Sequence, residues 1–179
     1  METDELRSEV LKVVKPIPFR GVPEFYDISN ILFDPTLFEK VIQSMSKRVS
    51  KYSPTVVCAL DARGFLFAAP IALRLCLPLV MIRKAGKLPG LCSRRTFDKE
   101  YETGDVFEMQ CGRIQSSDRV VLIDDLLATG GSMKGAWDLV KESNPSYLVG
   151  LCLFDLGLPN SREFLLNNKM TIDSIISLS

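Results

Sequence analysis

The sequence has no histidine, no net charge and no two cysteines at a short, motif-like spacing. The lack of histidine excludes Ser-His and Cys-His nucleophile systems and every histidine-ligated zinc or iron site. Because 22 basic residues balance 22 acidic ones, no overall field draws the chain onto nucleic acid or an acidic membrane. The chemistry of any site must therefore come from carboxylates, cations, hydroxyl groups and the backbone.

The cysteines and the first ten residues indicate the cellular compartment of the protein. The five cysteines, several of them in apolar runs, are Cys58, Cys76, Cys92, Cys111 and Cys152. An odd number without paired spacing predicts buried free thiols in a reducing compartment. The acidic, helix-like segment 1–10 argues against a secretory signal or a transit peptide. We therefore expect a cytoplasmic protein.

Short, wholly apolar runs separated mainly by helical segments indicate the fold class. The runs are Thr55 to Leu60, Leu79 to Ile82, Val120 to Ile123 and Tyr147 to Phe154. Such runs predict an α/β, doubly wound, mainly parallel sheet covered on both faces. The apolar stretch 65–82 is interrupted by Arg74 and by two prolines, so it predicts a buried helix and strand instead of a membrane span. At 179 residues, the chain is expected to form one domain, 1–179.

The first 50 residues predict two helices joined by a loop. Apolar residues at helical spacing predict a short amphipathic helix that ends before Pro16, and a Pro/Gly-rich loop is expected from Pro16 to Pro23. Asp34 is the expected N-cap of a second helix, with Pro35 at its first position. The apolar stripe of that helix is Leu37, Phe38, Val41, Ile42, Met45 and Val49.

The segment from Arg83 to Cys111 is polar and contains several glycines and a proline. It alternates weakly around Val106 to Met109, which predicts a long loop with a small antiparallel ribbon. Loops of this length within compact domains commonly act as lids over a site. We therefore expect a lid at residues 84–111.

A strand and turn from Val120 to Ser132 carry the main chemical prediction. Asp124 and Asp125 come at the carboxyl end of a buried strand, where open α/β sheets bind ligands. A turn of small residues then opens into a helix, an arrangement that lets backbone N–H groups bind a phosphate. The turn consists of Ala128, Thr129, Gly130, Gly131 and Ser132. The alternative is an ordinary strand-to-helix turn capped by an aspartate, but the full string favours a sugar phosphate.

This string resembles the phosphoribosyl pyrophosphate (PRPP) binding motif of type I phosphoribosyltransferases. The segments Leu60 to Phe67, Ile82 to Gly90 and Glu100-Tyr101 are similar, in that order, to segments of adenine phosphoribosyltransferases. The likeness runs from about Val22 through the helix after Ser132. It implies the type I phosphoribosyltransferase fold, with a small N-terminal hood in residues 1–34 and a flexible lid. It also implies a homodimer that uses adenine and PRPP, with Mg²⁺ held mainly by PRPP and pyrophosphate.

The resemblance also implies a role for individual residues. The turn 128–132 would bind the 5′-phosphate, and Asp124 and Asp125 would bind the ribose. The pyrophosphate group would be bound by Asp61 and Ala62, through a cis peptide bond, and by Arg63, Arg83, Lys84 and Lys87. Adenine would contact Glu24, Phe25, Tyr26 and Leu156. The catalytic residues would be Arg63, Glu100, which would exchange a proton with the purine, and Tyr101, which would order the reactive geometry.

Several of these residues also fit other roles. The basic cluster at Arg83 also fits a solvated loop, Phe25 fits a core aromatic, and Glu100 and Tyr101 fit ordinary surface residues. Relatives commonly have glycine directly after that tyrosine, whereas here Glu102 and Thr103 precede Gly104. Phosphoribosyltransferases for oxopurines generally use a lysine near the sheet end, and the segment 154–159 has none. A PRPP-sensing regulator without turnover is the remaining alternative.

Overall fold

The computed structural model describes the backbone of residues 2–19, 22–99 and 102–178, and the side chains of residues 4–19, 24–96 and 105–178. The chain folds into two compact units, residues 1–45 and 46–179. Each unit is described by itself below.

The N-terminal unit combines helices with a two-stranded antiparallel sheet. Its elements are α1 (Glu2–Val13), β1 (Pro16–Phe19), β2 (Val22–Tyr26), α2 (Ser29–Phe33) and the first part of α3 (Pro35–Ser50). The first helix is confirmed, but the expected loop from Pro16 to Pro23 is wrong, since β1 pairs with β2 there. Proline is tolerated in this sheet because both of its strands are edge strands.

Helix α3 begins where its capping residue predicts. The Asp34 carboxylate Oδ1 accepts hydrogen bonds from the backbone N–H groups of Thr36, at 2.9 Å, and Leu37, at 3.0 Å. Along its predicted apolar stripe, Phe38 is half-buried. The buried members of the stripe are Leu37, Val41, Ile42, Met45 and Val49. The N-cap and the apolar periodicity therefore specify this helix together.

The C-terminal unit is built on a seven-stranded mixed sheet. Its strands are β3 (Val56–Leu60), β4 (Leu79–Lys84), β5 (Cys92–Lys99), β6 (Glu102–Gln110), β7 (Arg119–Leu127), β8 (Tyr147–Asp155) and β9 (Ile172–Ser177). Its remaining helices are α4 (Arg63–Leu75), α5 (Gly131–Lys141) and α6 (Pro159–Asn167). The strand order is β5-β6-β4-β3-β7-β8-β9. Strands β4, β3, β7, β8 and β9 pair in parallel, which confirms the predicted doubly wound α/β class.

The four predicted apolar strands correspond to β3, β4, β7 and β8. The central strand β3 is buried along its whole length because the sheet covers both of its edges and helices cover its faces. The apolar stretch 65–82 forms most of α4 followed by β4, as expected. Among the described residues, no helix has both the length and the apolar character needed to span a bilayer.

The segment from Arg83 to Cys111 is more ordered than the sequence predicts. The predicted antiparallel ribbon is present, but it is longer than expected, because β5 and β6 are paired strands of eight and nine residues. Strand β6 also joins the main sheet, because Arg83 and Lys84 of β4 pair with Glu108 and Phe107. Charged residues interrupt the apolar alternation of both strands, so their length is not evident from hydropathy.

The cysteines divide into two groups. All five thiols are free, as predicted. Cys58 and Cys152 are buried in β3 and β8, and burial raises the pKa of both thiols. Cys76 and Cys111 are exposed, and Cys92 is partly so, so the expectation of burial is wrong for them. Cys76 ends α4 in the left-handed conformation, which leaves its side chain at the surface.

Replacement of the α3 cap tests the origin of this helix. We expect Asp34→Ala to lower the free energy of unfolding by about 1 kcal/mol, because two N–H groups lose their acceptor. Asp34→Asn keeps an oxygen acceptor and is the matched control. Urea unfolding followed by circular dichroism measures both, and equal stability of the Ala and Asn variants would contradict the capping role.

Candidate active site

A cavity of about 150 Å³ opens at the carboxyl edge of the parallel strands. Seven of the nine residues lining it are residues to which the sequence assigned a role. The lining consists of Leu60, Asp61, Ala62, Arg63, Lys84, Phe107, Asp124, Asp125 and Ser132. Residues distant in the chain therefore converge where open α/β sheets bind ligands.

The turn between β3 and α4 places Arg63 in the cavity. The Asp61–Ala62 peptide bond is cis, as the resemblance implies. Arg63 begins α4, and its Nε lies 3.1 Å from Asp125 Oδ2. A Cβ atom at Gly64 would lie 2.8 Å from the carbonyl oxygen of Ile123 and 3.3 Å from the Cα of Asp124. Glycine at this position therefore lets the start of α4 approach the end of β7.

Asp124 and Asp125 form an acidic pair on β7 with unequal surroundings. Asp125 is buried, and its Oδ2 is the atom that pairs with Arg63 Nε at 3.1 Å. Burial raises the pKa of the Asp125 carboxyl, although the Arg63 guanidinium acts in the opposite direction. Removal from water, and then the neighbouring Asp125, raise the pKa of the Asp124 carboxyl. A bound group that offers hydroxyl donors or positive charge would relieve both effects.

The turn after β7 leaves the N-terminus of α5 available to an anion. Gly130 is the N-cap, with φ of 96°, and contributes no side-chain acceptor to the helix. A Cβ there would also lie 3.0 Å from the ring of Phe164. The first N–H groups of a helix have no partners within it and carry the positive end of its dipole. Ser132, in the first turn, lines the cavity.

Among the three predicted cations on β4 and the following loop, Arg83 and Lys84 have side chains close to acidic or carbonyl oxygens. Arg83 Nε lies 3.4 Å from Asp61 Oδ2, and its Nη1 donates to the carbonyl oxygen of Lys87 at 3.3 Å. Lys84 Nζ lies 3.3 Å from Asp105 Oδ2 on β6. Of the three, Lys84 lines the cavity. An anionic ligand would compete with these carboxylates for the cations.

The residues predicted to contact adenine are not among the residues that line this cavity. Glu24, Phe25 and Tyr26 lie on β2 of the N-terminal unit, where the Phe25 ring is 5.0 Å from the ring of Phe19. Leu156 follows β8, and its N–H donates to the carbonyl oxygen of Leu127. Glu100 and Tyr101 lie outside the described residues.

Sequence reasoning missed four residues near the site. Leu60 and Phe107 line the cavity, Asp105 pairs with Lys84, and Glu108 accepts hydrogen bonds from the loop that contains Lys87. Leu60 ends an apolar strand that was predicted for burial alone. The weak alternation at 106–109 contains Phe107 and Glu108, but a charged residue in a strand ordinarily faces solvent.

Known proteins of similar sequence identify the family of this chain. The sequence model of the phosphoribosyl transferase domain matches residues 27–157. The adenine phosphoribosyltransferase of Rhodospirillum rubrum is 40% identical over 167 residues, which cover 93% of this chain and 95% of that protein. The chain belongs to the adenine phosphoribosyltransferase family.

Solved structures of that family share the fold. The adenine phosphoribosyltransferase of Thermoanaerobacter pseudethanolicus matches with a TM-score of 0.87 and 32% identity, covering 96% of this chain and 99% of that one. The enzyme of Saccharomyces cerevisiae, solved with an imino-altritol bisphosphate and adenine, matches with a TM-score of 0.85 and 30% identity. That match covers 97% of this chain and 99% of the yeast chain.

The raised pKa of Asp124 predicts how stability depends on pH. A carboxyl whose pKa is higher in the folded protein destabilises the fold once it ionises, so this cost is present at neutral pH and absent below the unfolded pKa of about 3.9. We expect Asp124→Asn to have a higher Tm than the wild type at about pH 8, and this difference to close by about pH 4.

Thermal unfolding of both proteins across this pH range measures the effect. Glu163→Gln, which removes an exposed carboxylate on α6, is the control and is expected to lack this pattern. A difference between Asp124→Asn and the wild type that is independent of pH would contradict the electrostatic explanation.

Proposed function

We propose that the protein transfers the 5-phosphoribosyl group of PRPP to adenine in purine salvage, giving AMP and pyrophosphate. The observation that carries this proposal is the cavity in which Asp124 and Asp125 lie beside Arg63, Lys84 and Ser132. A ligand with ribose hydroxyls between two anionic groups matches this distribution of charge. The family of the chain supports adenine as the acceptor.

Three groups of residues bind the three parts of PRPP. The turn 128–132 and the N-terminus of α5 bind the 5′-phosphate through N–H groups and the hydroxyls of Thr129 and Ser132. The carboxylates of Asp124 and Asp125 accept hydrogen bonds from the ribose hydroxyls. The cis turn at Asp61–Ala62, with Arg63, Arg83, Lys84 and Lys87, binds pyrophosphate through backbone and cationic groups.

Catalysis depends on the positions of the reacting groups and on electrostatic stabilisation of the charges that develop on them. Positive charge develops on the ribose ring as the bond to pyrophosphate breaks, and the carboxylates of Asp124 and Asp125 stabilise it. Arg63 and the β4 cations stabilise the negative charge on the departing pyrophosphate. The ribbon β5-β6 is the proposed lid, which excludes water that would hydrolyse PRPP.

Four residues are proposed to bind adenine. Phe25 stacks on the base, Glu24 and Tyr26 bind its polar edge through their backbone, and Leu156 covers the opposite face. Glu100 exchanges a proton with the purine ring, and Tyr101 orders the reacting groups. These roles rest on the similarity to adenine phosphoribosyltransferases.

Magnesium is the proposed cofactor, and the donor groups at the site fit it. Asp124 and Asp125 line the cavity and offer carboxylate oxygens, and Mg²⁺ prefers oxygen ligands. No cluster of three candidate metal ligands occurs among the described residues. The proposed ion is held mainly by the oxygens of PRPP and pyrophosphate, as the family resemblance implies. When bound, the ion neutralises charge on the pyrophosphate group.

A cytoplasmic homodimer is the proposed form of the enzyme. Five free thiols are typical of a reducing compartment. Leu66, Leu73 and Met81 on α4 and β4 have 42%, 81% and 42% of their surface exposed, which fits an interface with a second copy.

An assay of AMP formation from adenine tests the activity, with hypoxanthine, guanine and xanthine run in parallel. We expect turnover with adenine alone, in the presence of PRPP and Mg²⁺. We further expect Asp124→Asn and Asp125→Asn each to lower kcat/KM for PRPP by about 100-fold, because each removes transition-state stabilisation. Turnover with an oxopurine would overturn the base assignment, and PRPP binding without turnover would favour a regulator.

The proton role of Glu100 is tested separately. We expect Glu100→Ala to lower kcat at saturating adenine and PRPP by about 100-fold, the range of general acid–base catalysis. Glu102→Ala, two residues further along the same segment, is the matched control and should retain its rate. An unchanged kcat in Glu100→Ala would rule out the proton transfer.

A further inference from the structure

The Glu108 side chain is a buried carboxylate that the roles above do not use. None of its surface is exposed. Its Oε1 accepts hydrogen bonds from the backbone N–H groups of Lys87, at 2.7 Å, and Leu88, at 2.8 Å. Its Oε2 lies 3.1 Å from Arg94 Nε. Each oxygen therefore has a defined partner in a different segment of the chain.

The position of Glu108 in the sheet explains how it reaches these segments. On β6, it lies opposite Arg83 of β4 on one side and opposite Arg94 of β5 on the other. The loop that follows β4 folds back so that two successive N–H groups point to one carboxylate oxygen. Arg83 reinforces this turn, because its Nη1 donates to the carbonyl oxygen of Lys87 at 3.3 Å.

The energetics favour a fixed, ionised carboxylate at this point. Hydrogen bonds from the loop backbone and from Arg94 outweigh burial and lower the pKa of Glu108 to about 2. A buried charge with several donors is strongly localised, since removal of its partners would leave it uncompensated. Glu108 therefore stays ionised at neutral pH and holds the loop in one conformation.

We propose that Glu108 is a positioning residue for pyrophosphate recognition, which fixes the backbone at Lys87 and Leu88 so that the cations of β4 and the adjoining loop are prearranged for the diphosphate. This inference rests on the proposed function. Glu108 is absent from the cavity lining, whereas its strand neighbour Phe107 and the β4 cation Lys84 are part of it. The carboxylate acts through the loop instead of touching the ligand.

The chain offers variants that separate this role from general stability. Glu108→Ala removes both acceptors, whereas Glu108→Gln keeps an oxygen for the Lys87 and Leu88 N–H groups and loses the charge. Arg94→Gln removes the other partner and leaves the loop bonds in place. Glu142→Ala is the matched control, because the Glu142 carboxylate also pairs with an arginine of β5, Arg95, at 3.3 Å.

The first readout is the dissociation constant of pyrophosphate, measured by calorimetry, with the KM values for PRPP and adenine measured beside it. We expect Glu108→Ala to weaken pyrophosphate binding and raise the KM for PRPP by about tenfold or more, since misplaced binding groups lose affinity steeply. The KM for adenine should change little. Glu108→Gln should recover most of the loss, and Arg94→Gln and Glu142→Ala should bind pyrophosphate as the wild type does.

Other results would contradict the inference. Unchanged pyrophosphate affinity in Glu108→Ala would overturn it, as would an equal loss in Glu142→Ala. If Glu108→Ala does not fold, a Glu108→Gln protein of wild-type stability provides the test. A pyrophosphate affinity of Glu108→Gln as low as that of a loop-disrupting Leu88→Pro variant would contradict the role of the acceptor oxygen. Failure of the wild type to form AMP would refute the proposed function, which is distinct from any of these results.

Discussion

The contact between the start of α4 and the end of β7 determines the geometry of the site. Gly64 allows the helix backbone to lie against Ile123 and Asp124, and this brings Arg63 within 3.1 Å of Asp125. Without it, the acidic pair would lack its neighbouring cation, and the turn at Asp61–Ala62 would lie farther from Asp124 and Asp125. A single backbone approach thus joins the regions proposed for pyrophosphate and for ribose.

The electrostatics of the site follow from that approach. Burial and mutual repulsion raise the pKa of Asp124, while Arg63 offsets part of the cost at Asp125. The β4 cations lie near Asp61 and Asp105, at distances of 3.3 to 3.4 Å. The cavity therefore combines paired positive and negative charges, which suit the hydroxyl and anionic groups of the proposed ligand. This stored complementarity is typical of preorganised active sites.

The sequence predicted the parts of the molecule that depend on local patterns. Buried parallel strands appear as continuous apolar runs, and Asp34-Pro35 marks the start of α3, so these elements were assigned correctly. The paired aspartates and the small-residue turn likewise identified Asp124, Asp125 and Ser132 as cavity residues. Family resemblance added Asp61, Ala62, Arg63 and Lys84, whose shared location no local pattern reveals.

The remaining features depend on contacts between distant segments. Strands β5 and β6 carry charged residues that pair with one another, with α5 and with the loop after β4, so their hydropathy resembles that of a solvated loop. Glu108 is buried because backbone N–H groups meet it from another segment, which its neighbours in sequence do not indicate. The strands of the N-terminal unit were missed for a related reason, since prolines in a two-stranded sheet resemble a loop.

Calorimetric titration of Gly64→Ala with PRPP and Mg²⁺ tests most directly whether this backbone approach organises the site. The added methyl group would meet the carbonyl oxygen of Ile123 and displace Arg63 from Asp125. We expect a folded variant that binds PRPP at least about tenfold more weakly than the wild type, a loss of about 1.4 kcal/mol. Binding with wild-type affinity by a folded Gly64→Ala protein would contradict it.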